Sequence, residues 1–123
     1  MPIPAGAETV MATRLPTKLL VSALVRRVEQ AGGFAMVLAK GEETGGVILI
    51  QASEKGQFSG LFERMFDLDG KARLNPCGPP PEKGADAVSA YLDRRRASDP
   101  DLWIIELDIA EAERFAAETI CGG

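Results

Sequence analysis

The chain has 123 residues, of which 46% are hydrophobic and 26% are charged, and its formal net charge is -4. This length fits one domain around one hydrophobic core, and the composition is typical of a folded globular protein rather than of a disordered or membrane-spanning chain. The acidic balance argues against a nucleic-acid partner, because that kind of binding depends on many lysines and arginines that neutralise phosphates.

The N-terminal part of the chain predicts a leader followed by a helix. Residues 1–13 show neither the basic start nor the sustained apolar stretch of a secretory signal, so we expect a flexible leader and a cytoplasmic protein. No apolar run approaches the roughly 18 residues of a membrane-spanning helix, so we expect no membrane partner. From Thr17 to about Gln30 apolar residues recur at three- and four-residue steps, which predicts an amphipathic helix with Thr17 as its N-cap. Gly32-Gly33 then marks the C-terminal end of this helix.

A β-hairpin is the next predicted element. Residues 34–40 favour a strand, residues 41–45 are typical of a turn, and residues 46–52 favour a second strand. Four consecutive residues of the second strand are apolar, which predicts either a central strand covered on both faces or a strand with one face buried in an oligomer. They are Val47, Ile48, Leu49 and Ile50.

The middle of the chain predicts a third strand and then an irregular loop. Residues 57–68 place three phenylalanines on one side, which favours a strand over the competing helix. Asp69-Gly70 marks a turn. Residues 75–81 predict an irregular loop, because their consecutive prolines cannot donate ladder or helix hydrogen bonds.

The C-terminal third predicts a helix, a strand and a helix. Residues 84–97 have helical spacing and carry arginines in their last turns, residues 102–107 form a strand with the only tryptophan, and residues 111–119 form a short helix. The whole order predicts an α+β domain over residues 14–120, with an antiparallel or mixed sheet of about four strands and the helices packed on one face. Residues 121–123 are expected to form a flexible tail.

The sequence contains no complete catalytic or metal-binding motif. It has no histidine and only two cysteines, Cys77 and Cys121, which lack the spacing of metal ligands, so we expect no metal, no cofactor and no cysteine nucleophile. The glycine-rich stretches match neither phosphate-binding fingerprint and predict turns and helix ends instead. Asp101 and Glu106 could act as an acid/base pair, but the abundant arginines favour salt-bridge or capping roles for them.

Two groups of arginines are candidates for anion binding. Three successive arginines at 94–96 spread over about 200° of a helix, so they cannot all face one ligand. The favoured interpretation is a solvated helix end with one arginine lying along its stem and paired to Asp93, Asp99 or Asp101. The alternative is a clamp in which two guanidinium groups bind a phosphate or carboxylate. The residues for such a clamp are Arg26, Arg27, Arg95 and Arg96.

Several stretches of the chain are similar to a known family. They are Leu19 to Arg27, Gly33-Phe34-Ala35, Gly45 to Ile50 and, most specifically, Tyr91 to Glu106. On these stretches the chain resembles the small alphaproteobacterial family known as domain of unknown function fourteen ninety-one. The resemblance implies a fold and implies no activity, because the family brings neither an assigned function nor catalytic residues.

Two functions stay open from the sequence. The first is a non-enzymatic interaction module that associates with itself or with another protein through the sheet face or edge near residues 47–50 and Trp103, because a domain this small can leave part of such a strand uncovered. The second is an anion or small-ligand site, with or without enzymatic activity, built from the four arginines with Asp101 or Glu106 as acid or base. We favour the first, and with it a homo-oligomer and no enzymatic activity.

Overall fold

The computed structural model describes residues 15–122. The predicted leader at residues 1–13, and the last residue of the predicted tail, therefore lie outside the described residues. Three helices form where the sequence shows helical spacing, and five strands form one sheet. The helices are α1 (Thr17–Gln30), α2 (Ala85–Ser98) and α3 (Ala112–Ile120), with a 3-10 turn at Pro81–Lys83. The strands are β1 (Phe34–Ala39), β2 (Ile48–Glu54), β3 (Gln57–Phe66), β4 (Ala72–Cys77) and β5 (Trp103–Asp108).

Helix α1 buries the stripe of apolar residues that predicted it, and its N-terminus differs in one detail. Leu20, Leu24 and Val28 are each almost fully buried, as residues four apart on one helix face should be. The N-cap position belongs to Pro16 rather than to Thr17. The Thr17 hydroxyl instead donates to the carbonyl of Gly46 (3.3 Å), so this side chain ties the helix to the loop before β2.

The sheet order is β1-β5-β2-β3-β4, with β5 parallel to β2 and every other neighbouring pair antiparallel. The predicted hairpin between β1 and β2 is therefore wrong, because β5 lies between them. Two glycines explain how β5 fits there. A Cβ atom on Gly41 or Gly46 would lie 2.1 or 2.2 Å from the carbonyl oxygen of Asp101, just before β5. That oxygen accepts a hydrogen bond from the Glu42 N–H (3.1 Å). The predicted turn therefore contacts the residues just before β5 instead of closing a hairpin.

The strand β4 extends into the predicted irregular loop and takes its first residues, 75–77, into the sheet. It pairs antiparallel with β3, and Pro76 is aligned with Phe62. Because β4 is an edge strand, one row of its backbone groups has no partner strand. A proline whose nitrogen faces that side removes no hydrogen bond from the ladder. The sheet thus has five strands rather than about four.

The mixed sheet and the α+β class are confirmed, but the helices cover both faces rather than one. Helices α1 and α3 pack against one face, which includes Ile50 and Ile105. Helix α2 packs against the other face, where Leu49 and Ile104 are buried with Leu92 beside them. The connection from β4 to β5 has to cross β3 and β2, and α2 makes this crossing over the face that α1 and α3 leave open.

The core centres on β2 and β5, the two parallel strands. Ile48, Leu49 and Ile50 have no exposed surface, so β2 is a central strand covered on both faces, one of the two alternatives that the sequence predicted. Within residues 15–122, the structure contains no helix with both the length and the apolar character needed to cross a bilayer.

Candidate functional site

The residues predicted to form an interface belong to the core. Ile48, Leu49 and Ile50 are fully covered, Trp103 is only 3% exposed, and Val47 is half-buried. The indole N–H of Trp103 donates to the backbone carbonyl of Glu42 (2.7 Å), which satisfies the one polar atom of this side chain. The chain's own helices cover these strands, so little of these side chains is open to a partner.

Arg27 joins two helices on one face of the sheet. Its guanidinium group donates to the carboxylate of Glu118 and to the hydroxyl of Thr119 (3.0 Å), both on α3. The same group lies 5.1 Å from the ring centroid of Phe115, within cation–π distance. These contacts give Arg27 a structural role between α1 and α3.

Arg95 anchors α2 to the sheet from the opposite face. It donates to the carboxylate of Glu63 on β3 and to the hydroxyl of Tyr91 (2.7 Å). The hydrogen bond to Glu63 raises the pKa of Arg95, so the guanidinium group is always charged. The prediction of one paired arginine at the end of this helix is thus met, but the partner lies on the sheet rather than among the neighbouring aspartates.

A half-buried cysteine, Cys77, lies in the same cluster. Burial raises the pKa of the Cys77 thiol, an effect that the hydrogen bond with Tyr91 only partly offsets. Burial also raises the pKa of the Tyr91 hydroxyl. A thiol with a raised pKa is protonated at neutral pH, and the thiolate is the nucleophilic form. Cys77 therefore packs as a small apolar side chain.

The four candidate arginines do not converge on one pocket. Arg26 and Arg27 lie on α1, and Arg95 and Arg96 lie on α2, across the sheet. Arg26 and Arg96 flank two different grooves, and neither forms an ion pair with any other residue of the described range 15–122. An anion in either groove would meet only one of these four guanidinium groups.

The acid/base candidates are also apart. Asp101 is exposed in the loop before β5, where its N–H donates to the side chain of Asp99 (3.0 Å). Glu106 is half-buried on β5 and accepts a 3.3 Å hydrogen bond from Gln51. Asp101 lies in the turn before β5 and Glu106 within the strand, and no hydrogen bond joins the two carboxylates, so the structure does not form an acid/base pair from them.

The largest group of exposed apolar side chains in the sheet lies on β1, an edge strand, and two more, Met65 and Phe66, lie at the end of β3. Four side chains of β1 keep 40% or more of their surface exposed: Phe34 (49%), Met36 (47%), Val37 (41%) and Leu38 (40%). Strand β1 has no charged residue and no proline. Apart from its ladder with β5, its backbone makes no hydrogen bond to another part of the described chain. The outer row of N–H and C=O groups is thus open to another strand up to the irregularity in the ladder between Val37 and Ala39.

A groove borders β1 on each face of the sheet. The α1 groove has a volume of about 760 Å3 and lies between α1 and β1, with Val25, Val37 and Trp103 among its apolar walls. The α2 groove has a volume of about 480 Å3 and is bounded by Leu38 and Ile104 below α2. Side chains of an added strand alternate between the two faces of a sheet. They would therefore enter the two grooves in turn.

The opposite edge of the sheet is built differently. Strand β4 carries Arg73, Asn75 and Pro76, and charged residues and proline are the usual means of protecting an edge from further pairing. The contrast singles out β1. Its sequence signal is six apolar residues without a charge, but the sequence did not show that this strand lies at an edge.

The comparisons with known proteins place the chain in a family. The family model described as a protein of unknown function (DUF1491) matches residues 15–117. The chain belongs to the DUF1491 family. The match confirms the resemblance seen in the sequence, and it includes the whole sheet with the β1 edge and both grooves.

Three solved structures are similar to this DUF1491 chain. A DUF1491 protein from Caulobacter crescentus, solved by crystallography, is 29% identical with a TM-score of 0.72, and the match covers 82% of this chain and 94% of that one. An NMR structure of a DUF1491 protein from the same organism is 30% identical with a TM-score of 0.68, covering 83% and 92%. Protein Atu0922 from Agrobacterium tumefaciens is 31% identical with a TM-score of 0.59, covering 77% and 86%. A search of curated proteins finds no match.

These relatives support the fold and bring no ligand or activity to it. The function of this DUF1491 chain therefore has to be argued from its own geometry, and the unprotected β1 edge between two grooves is the feature that calls for an occupant.

Proposed function

We propose that the chain is a non-enzymatic protein-interaction module that binds an extended segment as an added strand on β1. The observation that carries the proposal is the composition of this edge, which is apolar, uncharged and free of proline, whereas β4 at the other edge carries a charged residue and a proline. Strand addition combines main-chain hydrogen bonds, which supply affinity, with pockets for alternate side chains, which supply specificity.

The two faces of β1 define the chemistry of the segment. Ala35 and Val37 lie on the face of α1, since they pair with Leu107 and Ile105 of β5. Phe34 and Met36 lie on the α2 face, opposite two acidic residues of β5. A segment of β-branched residues, which carry methyl groups on both faces, would cover the exposed surface on each side of the strand, so the preferred partner is an extended β-branched segment rather than an amphipathic helix.

A cytoplasmic location is part of the same proposal. Both cysteines are free thiols, as expected for a reducing compartment.

The anion-binding alternative retains one specific feature. Lys18, Arg26 and Lys40 all line the α1 groove, so this groove carries three cations against the single carboxylate of Glu29. Titration with inorganic phosphate, followed by NMR, would test it. Chemical-shift changes that saturate in the wild type and disappear in Arg26→Gln support this function, and shifts that are the same in both proteins reject it.

Strand addition is tested with a labelled peptide of alternating valine and threonine. We expect saturable binding by fluorescence anisotropy, together with protection of β1 amides from hydrogen exchange. Met36→Lys should abolish binding, since it places a charge on the docking edge. Leu19→Lys is the matched control, because Leu19 is a similarly exposed apolar residue on α1 (55%) that does not line either groove. Binding that Met36→Lys leaves unchanged would refute the proposed function.

A further inference from the structure

We infer that the strand added to β1 is β1 of a second copy of this chain, so that two five-stranded sheets join into one continuous sheet. The inference rests on the proposed function, since it assigns the occupant of the same edge. A two-fold axis makes each residue of the edge meet a residue of the same edge, so an apolar, uncharged strand is self-complementary in a way that a charged one is not.

The faces of the sheet determine the registers that are allowed. A two-fold axis perpendicular to the sheet leaves the α2 face of one copy continuous with the α2 face of the other. Residues that oppose each other across the axis must therefore share a face. Phe34 and Met36 lie on the α2 face by their pairing with β5, and Leu38 lines the α2 groove. Only registers that oppose residues of the same face are consistent with this symmetry.

Centring the axis on Met36 uses the whole exposed stretch. In this register Met36 opposes Met36 of the second copy, Phe34 opposes Leu38, and Ala35 opposes Val37. All four residues of β1 that are 40% or more exposed then lie in the interface. A shift of two residues would leave part of this stretch without a partner, which favours the centred register.

One pair of opposite charges along the α1 groove is brought together under the same axis. Strand β1 follows α1 after a short turn and runs back along it, so Lys40 lies at the end of the groove near Lys18, while Glu29 and Gln30 lie at the other end. The two-fold axis reverses this order in the second copy. Lys40 of each copy then approaches the end of the partner groove that carries Glu29, where the C-terminus of α1 also favours a cation.

The oligomeric state tests the inference directly. Sedimentation velocity of the full chain over a range of concentrations should show a monomer–dimer equilibrium. Met36→Lys should raise the dissociation constant by about tenfold or more, because it opposes two like charges across the axis. The monomer should fold normally, since position 36 pairs with Glu106 on β5 and a lysine there faces a carboxylate. Leu19→Lys should dimerise like the wild type.

Cysteine cross-linking tests the register. Met36→Cys should form a disulfide-linked dimer under mild oxidation, because residues directly opposite each other in an antiparallel pair have Cβ atoms close enough for a disulfide. Val37→Cys should cross-link more slowly, since Val37 opposes Ala35 in this register. Peptide mapping separates a bond between the two introduced cysteines from bonds to Cys77 or Cys121.

The outcomes separate this inference from the proposed function. A chain that stays monomeric at high concentration but binds the valine-threonine peptide through β1 overturns the second-copy assignment and leaves the proposed function standing. A dimer that Met36→Lys does not weaken also overturns the assignment, because its interface lies elsewhere. A monomer whose outward-facing β1 amides, those not bonded to β5, are already protected from exchange overturns it too, since the edge is then covered by the chain itself. Dimerisation lost in Met36→Lys, with cross-linking through position 36, supports the inference.

Discussion

Replacing Arg95 with methionine tests whether one ion pair holds α2 on the sheet. Few residues of α2 are covered, and Val88 is its one buried side chain. Arg95 reaches across to Glu63 on β3 and also donates to Tyr91 within its own helix. Methionine keeps most of the length and apolar stem of the arginine but removes every donor, so the substitution isolates the polar contribution.

The magnitude follows from the partial burial of the pair. The side chains of Arg95 and Glu63 are 25% and 19% exposed. Breaking a fully buried pair costs about 3–5 kcal/mol, and a fully exposed pair contributes about 1 kcal/mol or less. Between these limits we expect Arg95→Met to lower the free energy of unfolding by about 2 kcal/mol, which corresponds to a fall in Tm of roughly 8 °C for a domain of this size. Glu63→Gln keeps one hydrogen-bond acceptor and should cost about 1 kcal/mol.

Urea denaturation of the two single variants and the double variant measures the coupling between the residues. We expect the double variant to be more stable than the sum of the single effects indicates, by about 1 kcal/mol or more. Arg94→Met is the control, because Arg94 is the adjacent exposed arginine and should change stability by no more than about 0.5 kcal/mol. Equal effects of Arg94→Met and Arg95→Met, or strictly additive effects in the cycle, would show that the pair does not anchor α2.

Three further predictions concern the loops that hold β5 and β2. Gly46→Ala should destabilise the fold by roughly 2–3 kcal/mol in urea denaturation, because the added Cβ would lie 2.2 Å from a backbone oxygen before β5. Gly45→Ala is the control and should be nearly neutral, since its nearest contact would be 3.9 Å away. Lys55 has a φ of 52° in the two-residue turn between β2 and β3, a conformation that asparagine adopts more readily than lysine. Lys55→Asn should therefore raise the Tm, and an unchanged or lower Tm would contradict this. Hydrogen bonds lower the pKa of Glu42 below its ordinary 4.5, the largest effect coming from the Thr44 hydroxyl and smaller ones from the backbone N–H groups of Gly45 and Thr44. The stability that the Glu42 carboxylate contributes is therefore complete above pH 4.5 and is lost as the pH falls through the lower pKa of the folded state. Unfolding free energies of the wild type and Glu42→Gln should therefore converge in acid, and a constant difference between pH 6 and 3 would contradict this assignment.

The helices and most strands could be predicted from the sequence because their signals are local. The apolar stripe of α1 and the apolar run at residues 47–50 report burial directly. The order of the strands is not local. The predicted hairpin is wrong because β5 lies between β1 and β2, although it comes more than 50 residues after β2 in the chain. The only local sign of this arrangement is the pair of glycines, Gly41 and Gly46, that a backbone carbonyl before β5 approaches closely. Pro76 misled in a similar way, since a proline that excludes a central strand is compatible with an edge strand.

The candidate site depended on the same non-local information. Arg26 and Arg95 have the chemistry of an anion clamp, but they lie on opposite faces because α2 crosses the face that α1 and α3 leave open. The apolar residues at 47–50 and Trp103 have the composition of an interface, but the insertion of β5 makes them core. Composition alone cannot separate an interface from a core, because both are apolar and differ only in what covers them.

The apolar edge of β1 is not explained by the stability of the monomer. Ala35 packs against the main core, whereas Phe34 and Met36 project onto the α2 face, are about half exposed and pair with acidic residues of β5. A lysine at position 36 would face the carboxylate of Glu106, protect the edge from unwanted pairing and sacrifice little buried surface. A chain shaped only by the stability and solubility of its monomer would therefore gain from a charge at this position. The proposed strand addition accounts for the uncharged edge, because an occupant would cover it, and the proposed second copy would oppose residues of the same face across the axis.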